Sequence, residues 1–318
     1  MMKSESSFRR AVAIAKASFH TLRKNPGLLW FPAIAGALNL CFGIVCIAIA
    51  ALRDSLGAAP AHDLAGLVDN LAATPHSSSV AGFFALLGFQ IITLVTAVAL
   101  THATLEALAG RPWTVRQGFA RVRARRSALA GYALLRTVGG MLLRGDGKKK
   151  KGKRRRRGGP LTKLARLAWW AATYLTIPVL TREDVGPFDS IGRSAKLFRA
   201  TWKEGILGRW TFGWLWIPYG LVCVLPLAVC AGLAVQNEAV WAMVALGSAT
   251  GFGLGHILFG TLDTIYRTAL YVFATEGVVP EPFDVEQLHT VWRAGPATDV
   301  LDVDGHEVDG SSRPDDDR

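Results

Sequence analysis

The 318-residue chain has almost nothing from the usual stock of catalytic motifs. It lacks a phosphate-binding glycine loop, HExxH, GxSxG and the kinase signature set, which excludes the enzyme classes those patterns serve. Cysteine is scarce as well: Cys41, Cys46, Cys223 and Cys230 all fall inside apolar runs and form no CxxC pair. In such runs a thiol acts as a small hydrophobe, so neither a disulfide framework nor a thiolate metal site is expected. Charge is missing over four long stretches: Leu28 to Leu52, Val80 to Leu105, Trp210 to Asn237 and Ala239 to Leu262. Each matches the roughly 20 apolar residues that carry a helix across the hydrocarbon core. The first is 25 residues long. That exceeds the apolar region of a secretory signal, about 7–15 residues, so it is expected to be retained.

Apolar residues take the place of charge. They make up 51% of the chain, mean hydropathy is +0.28, and only 19% of residues are charged, which points to an integral membrane protein. The net charge of +12 is concentrated, since nine of the 36 Lys and Arg lie between Lys148 and Arg157. The run GDGKKKKGKRRRRGGP resembles a nuclear-localisation or nucleic-acid arm when read alone. Between membrane helices it is instead an anion-attracting loop, and no nucleic-acid partner is expected. The opposite excess lies at the end, where Pro296 to Arg318 holds eight acidic and two basic residues, the composition of a disordered tail.

Three segments precede the apolar runs with helical spacing and basic character. In the first, Phe8, Val12, Ala15, Phe19 and Leu22 recur on one side, with Arg9, Arg10, Lys16 and Arg23 off it. The second is TVRQGFARVRARR, Thr114 to Arg126. In the third, Phe188, Ile191, Ala195, Phe198 and Trp202 oppose Arg193, Lys196, Arg199 and Lys203, with Asp189 or Ser190 as the expected cap. Each introduces two apolar stretches. The pattern is a unit of about 80–100 residues, repeated three times, of a basic interfacial helix followed by a helical hairpin. The middle hairpin is the weakest, being short and carrying Arg136, which costs about 2.5–3.5 kcal/mol at mid-membrane unless it faces the bundle interior.

These patterns predict an all-α integral membrane protein of about six transmembrane helices in three hairpins, each preceded by a basic amphipathic interfacial helix. The expected organisation is an amphipathic helix over 1–27, then a membrane domain over 28–275. Its spans fall at about 28–52, 80–105, 127–143, 164–181, 210–235 and 239–262, with a polybasic loop at 144–160. A cytoplasmic tail follows over 276–318, disordered from about 296. The N-terminal segment, Arg111 to Arg126 and Arg182 to Arg209 each hold six Lys and Arg, against one in Arg53 to Ser79. The positive-inside rule therefore places both termini in the cytoplasm of an inner, or plasma, membrane. Six crossings put the polybasic loop outside, against the same rule, whereas a middle hairpin lying in the cytoplasmic interface would keep it inside.

Thr173 to Trp202 and Asp263 to Gly277 carry a resemblance, in Pro178, Glu183, Gly186, Pro187, Ser194, Phe198 and Trp202, then Ala269, Leu270, Tyr271 and Ala274. They resemble a family of prokaryotic six-span membrane proteins catalogued as a domain of unknown function, over a layout running from Lys16 to about Arg293. More distantly, the chain is similar to the membrane domain attached to some glycerophosphodiester phosphodiesterases, whose catalytic domain it lacks. The resemblance implies a six-helix bundle and carries no activity or functional residues with it.

Polar residues within the spans are the candidate site. His102 and Glu106 stand one helical turn apart, a spacing that could share a proton or a metal, or leave Glu106 to pair with Arg111. His256, Asp263 and Arg267 follow one stripe of the sixth span, with Asp263 and Arg267 spaced to pair. Gly247, Gly251 and Gly255 make a close-packing face. Pro32, Pro178, Pro218 and Pro226 interrupt four spans. Arg193, Lys196, Arg199 and Lys203 are expected on lipid headgroups. The function expected is non-enzymatic, without cofactor or metal: scaffolding or organising membrane lipids, anionic headgroups above all, with a protein partner or a second copy possible. The alternative is a small-solute or lipid transporter using the polar stripe.

Overall fold

The structure, a computed structural model, describes residues 2–57, 77–144, 160–201, 210–233 and 237–283, and every regular element among them is helical. The polybasic run Lys148–Arg157, the acidic tail, Trp202 and Lys203 lie outside the described residues. The first unit is α1 (Met2–Lys24), a 3₁₀ turn at Pro26–Leu29, α2 (Trp30–Gly57) and α3 (Ser77–Leu108). The second is α4 (Val115–Ala124), α5 (Arg126–Arg144), α6 (Pro160–Thr173) and α7 (Thr176–Arg182). The third is α8 (Pro187–Thr201), α9 (Trp210–Gly232) and α10 (Glu238–Glu276).

Among the described residues, three helices are long and apolar enough to cross a membrane, over Pro26–Leu52, Gly82–Leu108 and Glu238–Glu276, where six were expected. α9 is uncharged across its 23 residues, of which Trp216–Gly232 is the apolar stretch described in full. The middle hairpin falls short through composition, since α5 carries Arg126, Arg136 and Arg144 and α6 carries Lys163 and Arg166. The expected span at 164–181 is two helices, broken at Tyr174–Leu175. Pro178 explains the break: it has no N–H to give, and its ring would clash with the carbonyl four residues earlier, at Tyr174. Leu175 directs its own N–H to Ser194 Oγ on α8 at 3.0 Å.

Local sequence sets the other boundaries. Thr114 and Gln117 form a reciprocal capping box at the start of α4, and Asn237 Oδ1 accepts the Ala239 and Val240 N–H groups to open α10. α8 begins at Pro187, so the expected caps Asp189 and Ser190 lie inside its first turn, where Ser190 Oγ donates to Pro187 O at 2.7 Å. Pro32 and Pro178 occupy first turns, where a missing N–H costs nothing, while Pro218 and Pro226 sit within α9.

The packing is cyclic. Hairpins form between α2 and α3 and between α9 and α10, and α3, α7 and α10 meet one another at the centre. Each basic helix lies on the hairpin of the preceding unit: α4 on α3, and α8 on α5, α6 and α7. α1 packs on α9 and α10 and closes the ring.

The main core lies at the end of the ring where α2 begins and α3 and α10 finish, its base, and is built from Ile14, Leu28, Phe31, Leu100, Leu175, Ile265, Leu270 and Phe273 among others. Full burial of each large side chain contributes about 1.5–3 kcal/mol. Farther out, α2, α3, α9 and α10 expose Leu40, Ile49, Phe84, Leu221, Val222, Met243 and Leu254, a surface suited to lipid. At about 1.5 Å per residue, the 39 residues of α10 reach roughly 58 Å, well beyond a hydrocarbon core of about 30 Å. Its large exposed side chains run only as far as Leu254, apart from the base.

The apolar sides read on the basic helices are buried in the protein only in part, at Leu22 and Phe198. On α1, whose side chains are described at residue 12 and from residue 14 on, so that Phe8, Arg9 and Arg10 lie outside them, the buried residues are Ile14, Ala17, Ser18, Thr21 and Leu22, while Val12 and Phe19 are exposed. On α8 they are Ser190, Ser194, Leu197 and Phe198, and Phe188 is 71% exposed. Small and hydroxyl side chains let the helices approach closely, and several large apolar ones are left facing outward.

Candidate functional site

The inner helices end alike. Glu106, Glu183 and Glu276 each stand shortly before a glycine and a proline: Gly110 and Pro112, Gly186 and Pro187, Gly277 and Pro280. Gly110 (φ +68°) and Gly277 (φ +67°) adopt the left-handed conformation that stops α3 and α10. The result is an acidic group at the base of each inner helix, and each has an arginine. Arg111 Nε lies 2.5 Å from Glu106, Arg193 Nε 3.3 Å from Glu183, and Arg182 3.0 Å from Glu276.

Glu183 has the most partners. It also accepts the Tyr271 hydroxyl at 3.0 Å, joining α7 and α8 to α10. From α4, Arg121 donates to the carbonyls of Thr181 at 2.7 Å and Arg182 at 3.2 Å. Arg125, 8% exposed, donates to the Glu183 carbonyl and to Asp184. Two guanidinium groups thus satisfy the end of α7, where orphan carbonyls and the negative end of the helix dipole favour cations. Burial lowers the Arg121 pKa from its ordinary value, with repulsion from Arg125 adding to it. The hydrogen bond to Glu106 raises that of Arg111.

This girdle was missed in sequence, because the arginines of TVRQGFARVRARR read as one lipid-facing set. The available signals were the recurring acid–glycine–proline endings and the four-residue spacing of Arg121 and Arg125 beside Gly118. A Cβ on Gly118 would sit 2.9 Å from the Ala99 carbonyl, so that face of α4 lies flat on α3.

The residues expected from sequence are distributed unevenly. His102 is half-buried one turn above Glu106, whose partner is Arg111, and among the described residues no group of three potential ligands could hold a metal. Asp263 and Arg267 pair at 2.6 Å, but His256 is exposed and does not join them. Added Cβ atoms would meet Cys223 Sγ at 3.1 Å from Gly251 and Tyr219 at 2.1 Å from Gly255, while Gly247 faces open space. Two of the three glycines therefore seat α9, and Tyr219 donates to the Gly251 carbonyl at 2.6 Å. Of the expected headgroup contacts, Lys196 and Arg199 are exposed, Arg193 is half-buried on Glu183, and Lys203 lies outside the described residues.

No curated protein and no solved structure matches the chain, and the expected similarity to phosphodiesterase membrane domains is not among the likenesses found. Residues 78–280, from the start of α3 to just beyond α10, match a family of unknown function, DUF6159. That region is more than half the chain and contains the whole acid–arginine girdle, and the protein belongs to this family.

Proposed function

We propose that this is a non-enzymatic multi-pass inner-membrane protein that organises anionic lipid around its cytoplasmic base. Six helices cross in three hairpins, with both termini cytoplasmic. α5 and α6 form the middle hairpin: Arg166 Nε donates to the Leu143 carbonyl at 2.8 Å, and a Cβ on Gly139 would meet Trp169 at 2.5 Å. The cyclic packing supports placing this hairpin on the same side of the base as the other two.

The observation that carries the functional reading is the outer face of the basic helices. On α1, exposed Lys16 and Arg23 flank exposed Val12 and Phe19; on α8, exposed Lys196 and Arg199 share the helix with exposed Phe188. Each helix is anchored to the bundle by its other face, so basic and apolar side chains are held together at the membrane boundary. Such a surface attracts anionic headgroups by about 1 kcal/mol per basic side chain. The transport reading has less support, because Asp263 is closed on Arg267 and His256 stands apart.

The test is lipid analysis of the full chain extracted with its surrounding bilayer. Anionic lipid should be enriched over the bulk membrane, and the enrichment should fall in Lys16→Gln/Lys196→Gln/Arg199→Gln. A lipid annulus identical to the bulk membrane would rule the reading out.

A further inference from the structure

The basic stretch Thr114 to Arg126 is divided by the helix it forms. Arg121 and Arg125 turn inward onto the end of α7. Arg116, Arg123 and, just beyond the helix, Arg126 are exposed, and among the described residues their side chains have no ion pair or hydrogen bond. Arg116 and Arg123 are two helical turns apart and so share one face. That face also carries Gln117, Ala120 and Ala124, all exposed. Val115, Phe119 and Val122 pack against the main core. α4 therefore shows cations outward with no large apolar side chain among them, unlike α1 with Val12 and Phe19 or α8 with Phe188. A surface without apolar groups has little to insert into a lipid boundary, and it suits a hydrated, acidic partner.

The chain's own acidic segment leaves the base beside this face. Phe283, the last described residue, is buried in the same core on which Val115 and Phe119 pack. Glu281 and Pro282 line a cavity together with Arg111 and Pro112, just ahead of α4. Pro296 follows thirteen residues after Phe283, a reach of at most about 45 Å, against about 15 Å for the ten residues of α4. Pro296 to Arg318 then holds eight acidic and two basic residues. We propose that the outer face of α4 is the docking surface for this acidic C-terminal segment, with Arg116, Arg123 and Arg126 pairing with its carboxylates. The forked donors of arginine match a carboxylate, and the short tether holds the segment at a high local concentration, so that pairs weak on their own in water act together. The choice of α4 over the polybasic run rests on the six crossings proposed above, which put that run on the other side of the membrane. With the segment docked, anionic headgroups are left to α1 and α8.

The test places a photoreactive benzophenone amino acid at Ala120 of the full chain, or in a second version at Gly310, and activates it in isolated membranes. Mass spectrometry of the crosslinked peptides should show residues 296–318 captured from Ala120 and α4 captured from Gly310, without a covalent dimer. The yield should fall roughly fivefold or more in Arg116→Gln/Arg123→Gln/Arg126→Gln, and also at about 1 M salt, where the Debye length shrinks to about 3 Å. It should stay within about twofold in Arg116→Lys/Arg123→Lys/Arg126→Lys, which keeps the charge. Lipid adducts alone at Ala120 would give the face to the membrane, and covalent dimers would give it to a second copy. Either result, or a yield indifferent to the glutamine substitutions, would overturn the docking and leave the six crossings intact. Capture of residues 144–160 from Gly310 within one chain would instead overturn the crossings, and the docking with them.

Discussion

Removing the Glu183 carboxylate takes a partner from α8 and from α10 at once. Glu183→Ala should lower stability by about 2–3 kcal/mol, because Tyr271 and Arg193 lose a charged acceptor in a half-buried place. Asp184→Ala, next in the chain but 97% exposed, should cost less than about 1 kcal/mol. Thermal unfolding in detergent would compare the two, and equal losses would mean that the Glu183 contacts are incidental. Glycine gives a second contrast. Gly255→Ala pushes a methyl group into Tyr219 and should destabilise by about 1–3 kcal/mol, whereas Gly247→Ala meets open space and should gain up to about 1 kcal/mol from helix propensity. At this scale the sequence was only partly readable. The pairing of Asp263 with Arg267 follows from four-residue spacing alone, but the inward turn of Arg121 and Arg125 depends on where α7 ends, which no local pattern encodes.

The long uncharged runs were legible as elements, because a stretch without charge has few options other than a buried or lipid-facing helix, and α2, α3, α9 and α10 follow them closely. The orientation of the basic helices was not. A large apolar side chain at helical spacing can face protein or lipid with equal ease, and the rule that apolar residues point inward holds only in water. Phe19 and Phe188 therefore stand outside, while Ser18 and Ser194 are buried. The break at Tyr174 was available from Pro178 and was hidden by the apolar run around it. Its consequence can be measured at Ser194. Ser194→Ala leaves the buried Leu175 N–H without an acceptor and should cost about 1–3 kcal/mol. Ser190→Ala removes a hydroxyl bonded only to its own helix and should cost much less. Similar melting temperatures for both variants would show that the break is held by packing alone.

Across the whole molecule, the three-fold recurrence predicts where the chain crosses. Single cysteines at Ser78 and Gly152 should react with an impermeant thiol reagent on intact cells, while one at Gly310 should not, after the native cysteines are replaced. Protection at Gly152 beside labelling at Ser78 would place the middle hairpin on the cytoplasmic side and restore the charge rule at the polybasic loop. The closing contact of α1 on α9 and α10 also has a consequence in time. When α1 leaves the ribosome, its docking surface has not yet been made, and some 250 residues must follow before α10 is complete. At about 5–20 residues per second, that is an interval on the order of tens of seconds. During it α1 can rest only on the membrane surface, held by the same exposed residues that later mark the rim. The ring is therefore sealed from its first-made piece by its last, and a nascent chain halted before α10 should leave α1 open to protease.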